Sequence, residues 1–553
     1  MADATRTFAW GLLLIVAGCT AAPESSGGGP FVADFAATAT SEAGMVVSGS
    51  PYATEAGVRM LEAGGNAVDA AVAAAFALAV AEPTQSGLGG RTQMLVRMAD
   101  GTLSGIDGTT QVPAAYDSAT APEGEHGHAA VGIPGTVAAL TRALERHGTL
   151  PLATVLGPAR GFARDGIALP AGEAGRLSEL AGEVDPASEA ARIFYAPGVV
   201  PLAPGATLVQ PDLADVLDTL AARGPDAFYR GSISRRIAED MAAHGGYVTA
   251  QDLATYQAED SEVGEGAFAG ARVLGSYLPA SGVAVVEILQ ILDRVAPDPA
   301  DEGTWASALT EALLAGFEDR EVTEAEMDPA AAVAWLTSDS LADRRAAQIA
   351  NKLRAVAATA ESPMAGVPAL AFDDGSEPAF TTHISVADTF GNAVALSQSL
   401  GPTLGSRVVT PGLGFLYAST LGGYLTGGEP GYRPWSSQAP LIVVTPSAML
   451  VIGGAGSRRI LSALVSTLTR YVRDGEGLEA ALAAPRLHPT GDRVDVQEAW
   501  PAAAALEALG YQVTLREPSY FARLNAVELL APRSFRGVGE PRWAESAAGG
   551  PRR

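Results

Sequence analysis

The stretch TTHISVADTFGNAVALSQSL, residues 381–400, carries two runs of alternating strand character, 383–387 and 393–398. It opens on Thr381-Thr382-His383, directly after residues 356–380 (VAATAESPMAGVPALAFDDGSEPAF). That preceding segment has no periodicity, is rich in Ala, Pro and Gly, and reads as an exposed loop leading into a strand. Taken plainly, Thr381 is a β-branched residue at the start of a strand. The chemical alternative is specific. If the bond between Phe380 and Thr381 is cut, Thr381 gains a free α-amine beside its own hydroxyl. Such an amine titrates at about 7.7–8.0, so much of it is neutral near pH 7–8 and can take the hydroxyl proton. One residue then supplies both nucleophile and base.

Outward from this stretch the pattern is mixed. Residues 54–82 read as helical, interrupted by Gly64-Gly65-Asn66; the run from Ala67 is apolar almost all round, which predicts a buried helix. It ends at Glu82-Pro83 in a Gly-rich turn, residues 86–90, followed by strand-like pieces at 94–98 and 103–106. From 134 to about 355 helices dominate, most clearly 137–147, 233–243, 283–295 and 305–317. Strands return at 441–445 and 449–452, then helices at 460–472 and 502–509, with no internal repeat. Helices around central strands predict an α/β layered architecture.

Composition excludes much conventional chemistry. The 553 residues are 48% hydrophobic and 18% charged, enough apolar matter for a large core. Asp+Glu is 62 against Lys+Arg 36, a net charge of −26 that argues against nucleic-acid partners. A single cysteine, Cys19, leaves no intrachain disulfide, thiolate zinc site or CxxC pair. The only lysine, Lys352, sits in an Ala-rich helical stretch without a cofactor motif, and GxxxxGK[ST], HExxH and GxSxG are absent. Six histidines are scattered; only His126 and His128 are close together, in the loop EGEHGHAA, which reads as a loop before it reads as a metal site. Nothing here calls for a metal or an organic cofactor.

The N-terminus reads as an address. Residues 8–17 (FAWGLLLIVA), after Arg6, have the length of a signal-peptide core and are too short for a permanent membrane span. The ending Val16-Ala17-Gly18-Cys19 resembles the bacterial lipobox, in which the cysteine is lipidated and becomes the mature N-terminus; the alternative is an ordinary secretory cleavage site. The expectation is a signal peptide at 1–19, a flexible tether at 20–43, and an exported lipoprotein anchored in the periplasm or at the cell surface.

Taken in order, several segments resemble the γ-glutamyltransferase (γ-glutamyltranspeptidase, glutathione hydrolase) family of autoprocessed N-terminal-nucleophile hydrolases. They are GMVVSGSPYATEAGVRMLEAGGNAVDAAVAAAFAL (44–78), EPTQSGLGG (82–90), GIPGTVAAL (132–140), FYRGSI (228–233) and GGYVTAQDLATY (245–256). Residues 381–400, RPWSSQAPLIV (433–443), GGAGSRRI (453–460) and AAPRLH (483–488) continue the series. The resemblance implies an αββα sandwich built jointly by a large subunit, residues 44–380, and a small one, 381–553, which stay associated after one precursor is cut. It implies Thr381 as nucleophile, Ser399 as its supporting hydroxyl, and Gly456 and Ser457 as the backbone donors of an oxyanion hole. Ser436 and Ser437 match a serine pair that binds the substrate's α-carboxylate.

The chain also departs from that family as a divergent member. Thr109 stands where an arginine should hold the α-carboxylate, Gly422 and Gly423 where an acid should hold the α-amine, and Gly401 where an asparagine should contact the same end. Arg91 or Arg407 would have to supply a cation from another direction. A charge-assisted hydrogen bond contributes roughly 1.5–3 kcal/mol, so two lost anchors weaken glutamyl binding by about 10²–10⁴-fold. The resemblance therefore implies a self-cleaving amidohydrolase or acyltransferase on a small-molecule amide, with γ-glutamyl (glutathione) specificity in doubt. The alternative is a catalytically retired relative serving as a surface binding or structural protein. Self-cleavage discriminates in part, because it needs the threonine and the oxyanion donors but no glutamate anchors.

Overall fold

Period-two alternation builds the centre of the molecule. Met45, Val47 and Leu95 point to one side of their strands, while Val46, Met94 and Val96 point to the other. Each side therefore finds its own apolar layer. A computed structural model describes residues 30–298, 300–358, 380–424, 428–491, 493–508, 510–531, 533–542 and 544–552.

Seven antiparallel strands form the first sheet in the order Ala547–Gly549, Met45–Ser48, Phe380–Ala387, Ala393–Gly401, Arg91–Arg97, Leu103–Gly108, Glu259–Ser261. A second antiparallel sheet of seven runs Thr38–Ser41, Ser534–Val538, Arg523–Ala531, Met449–Ala455, Leu441–Val444, Ala271–Ser276, Val263–Phe268. Met45, Val47 and Leu95 of the first sheet meet Leu274, Ile442, Val451 and Val527 of the second in a layer between them. Helices Pro51–Glu62 and Ala67–Ala81 cover the outer face of the first sheet. Helices Gly282–Val295, Glu302–Glu326 and Arg459–Leu468 cover that of the second. The order of layers is helix, sheet, sheet, helix. Strands from both sides of residue 380 pair with each other in both sheets, so the two parts of the chain are held by shared ladders.

The expected helix boundary at Gly64-Gly65-Asn66 has a local cause. Gly64 takes φ +83°, and the Asn66 side chain accepts from the Val68 and Asp69 amides while the Asp69 carboxylate accepts from the Asn66 amide. Every residue of Ala67–Ala81 is buried. Among the described residues, no helix is long and apolar enough to cross a membrane.

Three expectations shift. The signal segment with Cys19, and residues 20–29 of the tether, lie outside the described residues, but residues 30–43 are not a free tether. Phe31 packs on Phe162 at 4.8 Å between ring centroids, and Thr38–Ser41 pairs with Ser534–Val538, because the aromatic ring and the sheet edge both offer burial. The helix Asp339–Ala358 runs into the segment read as a loop, as its alanines favour; residues 359–379 lie outside the described residues. The strand that carries Thr381 starts at Phe380 rather than at 383.

His383 sits in the layer between the sheets, its Nδ1 2.8 Å from Ser397 Oγ and its Nε2 3.1 Å from Ser385 Oγ. Burial pushes its pKa down to about 3, and does the same to His488, whose nearby arginines add to the effect. A folded-state pKa below the unfolded value of about 6.5 gives stability that is complete above pH 6.5 and is lost as pH falls toward 3. The urea midpoint should therefore hold above pH 6.5 and drop below it. A His383→Gln variant, less stable at pH 7, should show a shallower fall; an unchanged slope would remove His383 as a cause.

Candidate active site

Thr381 stands at the head of a central strand, opposite Ser399 in the antiparallel register. Between Phe380 and Thr381 the ladder slips: Phe380 pairs with Gly401 and Thr381 with Ser399, which leaves Leu400 as a bulge. The amide of Leu400 donates instead to Gln85 O at 3.0 Å, tying the QSGLGG turn to the site. Thr381 Oγ1 donates to Ser399 Oγ at 3.3 Å, and that same oxygen accepts the Gly401 amide at 2.9 Å. Both side chains open on a cavity of about 460 Å³, within the usual size of a small-molecule site.

The opposite wall is a strand-to-helix turn. Met449–Ala455 leads through Gly456, Ser457 and Arg458 into the helix Arg459–Leu468. Gly456 has φ +137°, and a Cβ there would lie 2.7 Å from Ala522 Cα, so only glycine fits. Ser457, expected to narrow the backbone, occupies the left-handed region at φ +56° and lines the cavity. That conformation costs a non-glycine residue roughly 1–2 kcal/mol. Arg458 and Ile460 line the same wall, which places the positive end of that helix beside the cavity.

The expected substrate anchors divide. Ser436 and Ser437 both line the cavity, but Ser436 Oγ already accepts the Gln438 amide at 3.1 Å, and its own amide donates to Pro279 O at 2.7 Å. Thr109 does not reach the cavity. It is fully buried, its amide bonded to Asp107 Oδ1 at 2.7 Å, while Arg433 pairs with the other oxygen of Asp107 at 2.7 Å. Gly422 also stays off the cavity wall and Gly423 is on it; neither has room for an acid. A Cβ on Gly422 would lie 2.3 Å from Gly124 O, and one on Gly423 2.7 Å from Glu123 O, because residues 123–125 pack against this turn.

Arg91 is the cation that arrives from another direction. It is 2% exposed, lines the cavity, donates from Nη2 to Tyr424 OH at 2.8 Å and lies 5.1 Å from the centre of that ring. A Cβ on Gly401 would sit 2.9 Å from Arg91 Nη2 and 3.0 Å from Tyr424 Cζ. The absent side chain at Gly401 leaves room for the Arg91 guanidinium. Arg91 Nε has no hydrogen-bond partner among the described residues. Arg407 is occupied elsewhere, paired with Glu183. Of the described residues lining the cavity, two are arginines (91 and 458) and none is acidic.

Two features escaped the sequence. Arg523, 1% exposed and 142 residues from Thr381, donates from Nη2 to Thr381 O at 3.1 Å and to Gln85 Oε1 at 2.8 Å. No local pattern around it signals that reach. Trp435 lines the cavity between two guanidiniums, Arg320 at 3.8 Å and Arg458 at 5.4 Å from its rings. It stands inside the RPWSSQ segment, where its size offered a signal.

A family model described as Gamma-glutamyltranspeptidase matches residues 53–550. The acylase ACY 1 proenzyme of Pseudomonas sp. (strain V22) is 34% identical over 533 residues, covering 90% of this chain and 92% of that protein. The glutathione hydrolase proenzyme of Escherichia coli (strain K12) is 34% identical over 510 residues, 86% of each chain. Among solved structures, a cephalosporin acylase from Bacillus halodurans superposes with a TM-score of 0.79 at 25% identity, covering 96% of this chain and 99% of that one.

Proposed function

The chain belongs to the gamma-glutamyltranspeptidase family of N-terminal-nucleophile hydrolases, and from that premise we propose that it cuts itself between Phe380 and Thr381 and then cleaves amides of an acyl group that carries a carboxylate but no neighbouring ammonium. The observation that carries this reading is the charge of the cavity: among the described residues that line it, Thr381 is accompanied by two arginines and no acid. An α-ammonium would find a guanidinium where it needs a carboxylate, whereas an acyl carboxylate finds Arg91. Both acylases and glutathione hydrolases are among the relatives, and the cavity favours the acylase side.

In the uncut chain the Thr381 nitrogen is an amide and cannot serve as a base. For the first cut, Thr381 Oγ1 attacks the carbonyl carbon of Phe380; the C–N bond breaks as an ester forms, and water opens the ester to a Phe380 carboxylate and a free Thr381 amine. That amine then takes the proton from Oγ1 as the hydroxyl attacks the substrate carbonyl. Ser399 orients the hydroxyl, and the Gly456–Ser457 amides take the developing oxyanion. The ammonium returns its proton to the leaving amine, and water completes hydrolysis.

The test is a matched pair, γ-glutamyl p-nitroanilide and glutaryl p-nitroanilide, which differ only in the α-amine. Both compounds keep the carboxylate, so the difference is the cost of seating an ammonium without an acidic partner; at roughly 1.5–3 kcal/mol, the glutaryl compound should have the higher kcat/KM by about 10- to 150-fold. Equal or faster turnover of the γ-glutamyl compound would sink the proposal.

A further inference from the structure

The loop 123–130 and the end of the helix Ser232–Ala243 bring three ligand-type side chains together away from Thr381. His128 Nε2 lies 3.2 Å from Asp240 Oδ2, and His244 Nδ1 lies 3.0 Å from Asp240 Oδ1. The ligand atoms of all three fall within 4.8 Å of one another. Metal–ligand bonds of about 2.0–2.1 Å in a tetrahedron separate ligand atoms by roughly 3.3 Å. Each imidazole has that spacing to one oxygen of Asp240, on different oxygens, and His244 Nδ1 also lies 3.0 Å from the Asp240 backbone oxygen, so binding would need a small shift of His244. Asp240 lies in the last turn of the helix Ser232–Ala243, and His244 caps its C-terminus four residues on. The neighbouring His126 is not part of the group; its Nδ1 faces Gly405 O at 3.3 Å.

We propose that His128, Asp240 and His244 bind a divalent transition-metal ion of the zinc type. Two imidazoles and one carboxylate suit zinc, cobalt or nickel better than calcium or magnesium, which prefer oxygen ligands. The carboxylate is positioned as metal ligands commonly are. Asp240 is only 8% exposed, and its Oδ2 also accepts from Thr410 Oγ1 at 2.7 Å, with Tyr417 OH 2.9 Å from the same hydroxyl. His244 is exposed, which leaves an approach for the ion and for a water in the fourth position.

The placement also gives the ion a task. The loop that carries His128 backs one wall of the active-site cavity: Glu123 O accepts the Gly423 amide at 3.0 Å, and Glu125 O accepts Ser419 Oγ at 2.6 Å. An ion at His128 would tie that wall to the helix Ser232–Ala243 and stabilise it without touching substrate. This inference stands independently of the acyl specificity proposed above.

The full chain, stripped of metal with a chelator, is titrated with Zn²⁺ by calorimetry and with Co²⁺ by visible absorption. The expected result is one equivalent bound, a tetrahedral-type Co²⁺ spectrum displaced by Zn²⁺, and a zinc-dependent rise in unfolding temperature. His244→Ala, at an exposed position, should unfold like wild type without metal, lose the Co²⁺ spectrum, and gain nothing from zinc. Thr410→Val, which removes no ligand, should weaken zinc about 10- to 100-fold. No uptake by the wild-type chain, or equal uptake by a His128→Ala/His244→Ala variant, would overturn the site and leave a hydrogen-bonded His–Asp–His cluster.

Discussion

Replacing Thr381 by alanine should leave a single uncut chain and lower amide turnover by at least about 10⁴-fold, the scale on which losing a catalytic nucleophile costs a hydrolase. Intact mass measurement of the wild type should give two fragments meeting at Phe380 and Thr381, and one mass for the variant. Both effects follow from one atom. Thr381 Oγ1 is 3.3 Å from Ser399 Oγ at the edge of the cavity, and no other group in the described site combines a hydroxyl with a prospective free amine. Thr381→Ser keeps that hydroxyl and should still cut itself, more slowly, because serine lacks the γ-methyl that restricts χ1. A wild-type chain that stays whole while hydrolysing amides would refute the assignment.

Arg523→Met should destabilise the fold by about 3–5 kcal/mol, the usual cost of removing one partner of a buried ion pair. Its partner is Glu82, 1% exposed, with Arg523 Nη1 3.7 Å away and no hydrogen bond to either carboxylate oxygen among the described residues. Burial pushes the arginine's pKa down, and Glu82 opposes that shift. Urea unfolding monitored by circular dichroism measures the loss. If the stranded carboxylate is the cause, adding Glu82→Gln should recover much of it, since an amide is far cheaper to bury than an unpaired charge. Self-cleavage should slow in Arg523→Met and stay slow in the double variant, because the bond to Thr381 O is missing from both. A double variant no more stable than Arg523→Met would assign the cost to packing.

How much was legible depended on the range of the interactions. The strand pair around 381–400 was readable because period-two alternation is written into consecutive residues, and the Gly64–Asn66 boundary because an Asn66–Asp69 capping box is local. The departures at Thr109, Gly401, Gly422 and Gly423 were visible by comparison with the family pattern, but not their reason. That Gly401 makes room for Arg91, that Gly422 yields to Gly124 O, and that Arg407 is committed to Glu183 are contacts between residues far apart in the chain. The loop expected at 356–380 began as helix because alanine propensity carried Asp339–Ala358 three residues further, and the tether expected at 30–43 was docked because a sheet edge and an aromatic pocket were waiting for it.

The sequence by itself thus determined the layered α/β class and the family, and singled out Thr381 as the candidate nucleophile, since these rest on periodicity and on motifs of adjacent residues. The tertiary structure alone decided which charges face Thr381, that Arg523 holds the Thr381 carbonyl, and that His128 belongs with Asp240 and His244 and not with His126. The physical reason is that hydrogen bonds and ion pairs act over about 3–4 Å in space, whatever the separation along the chain.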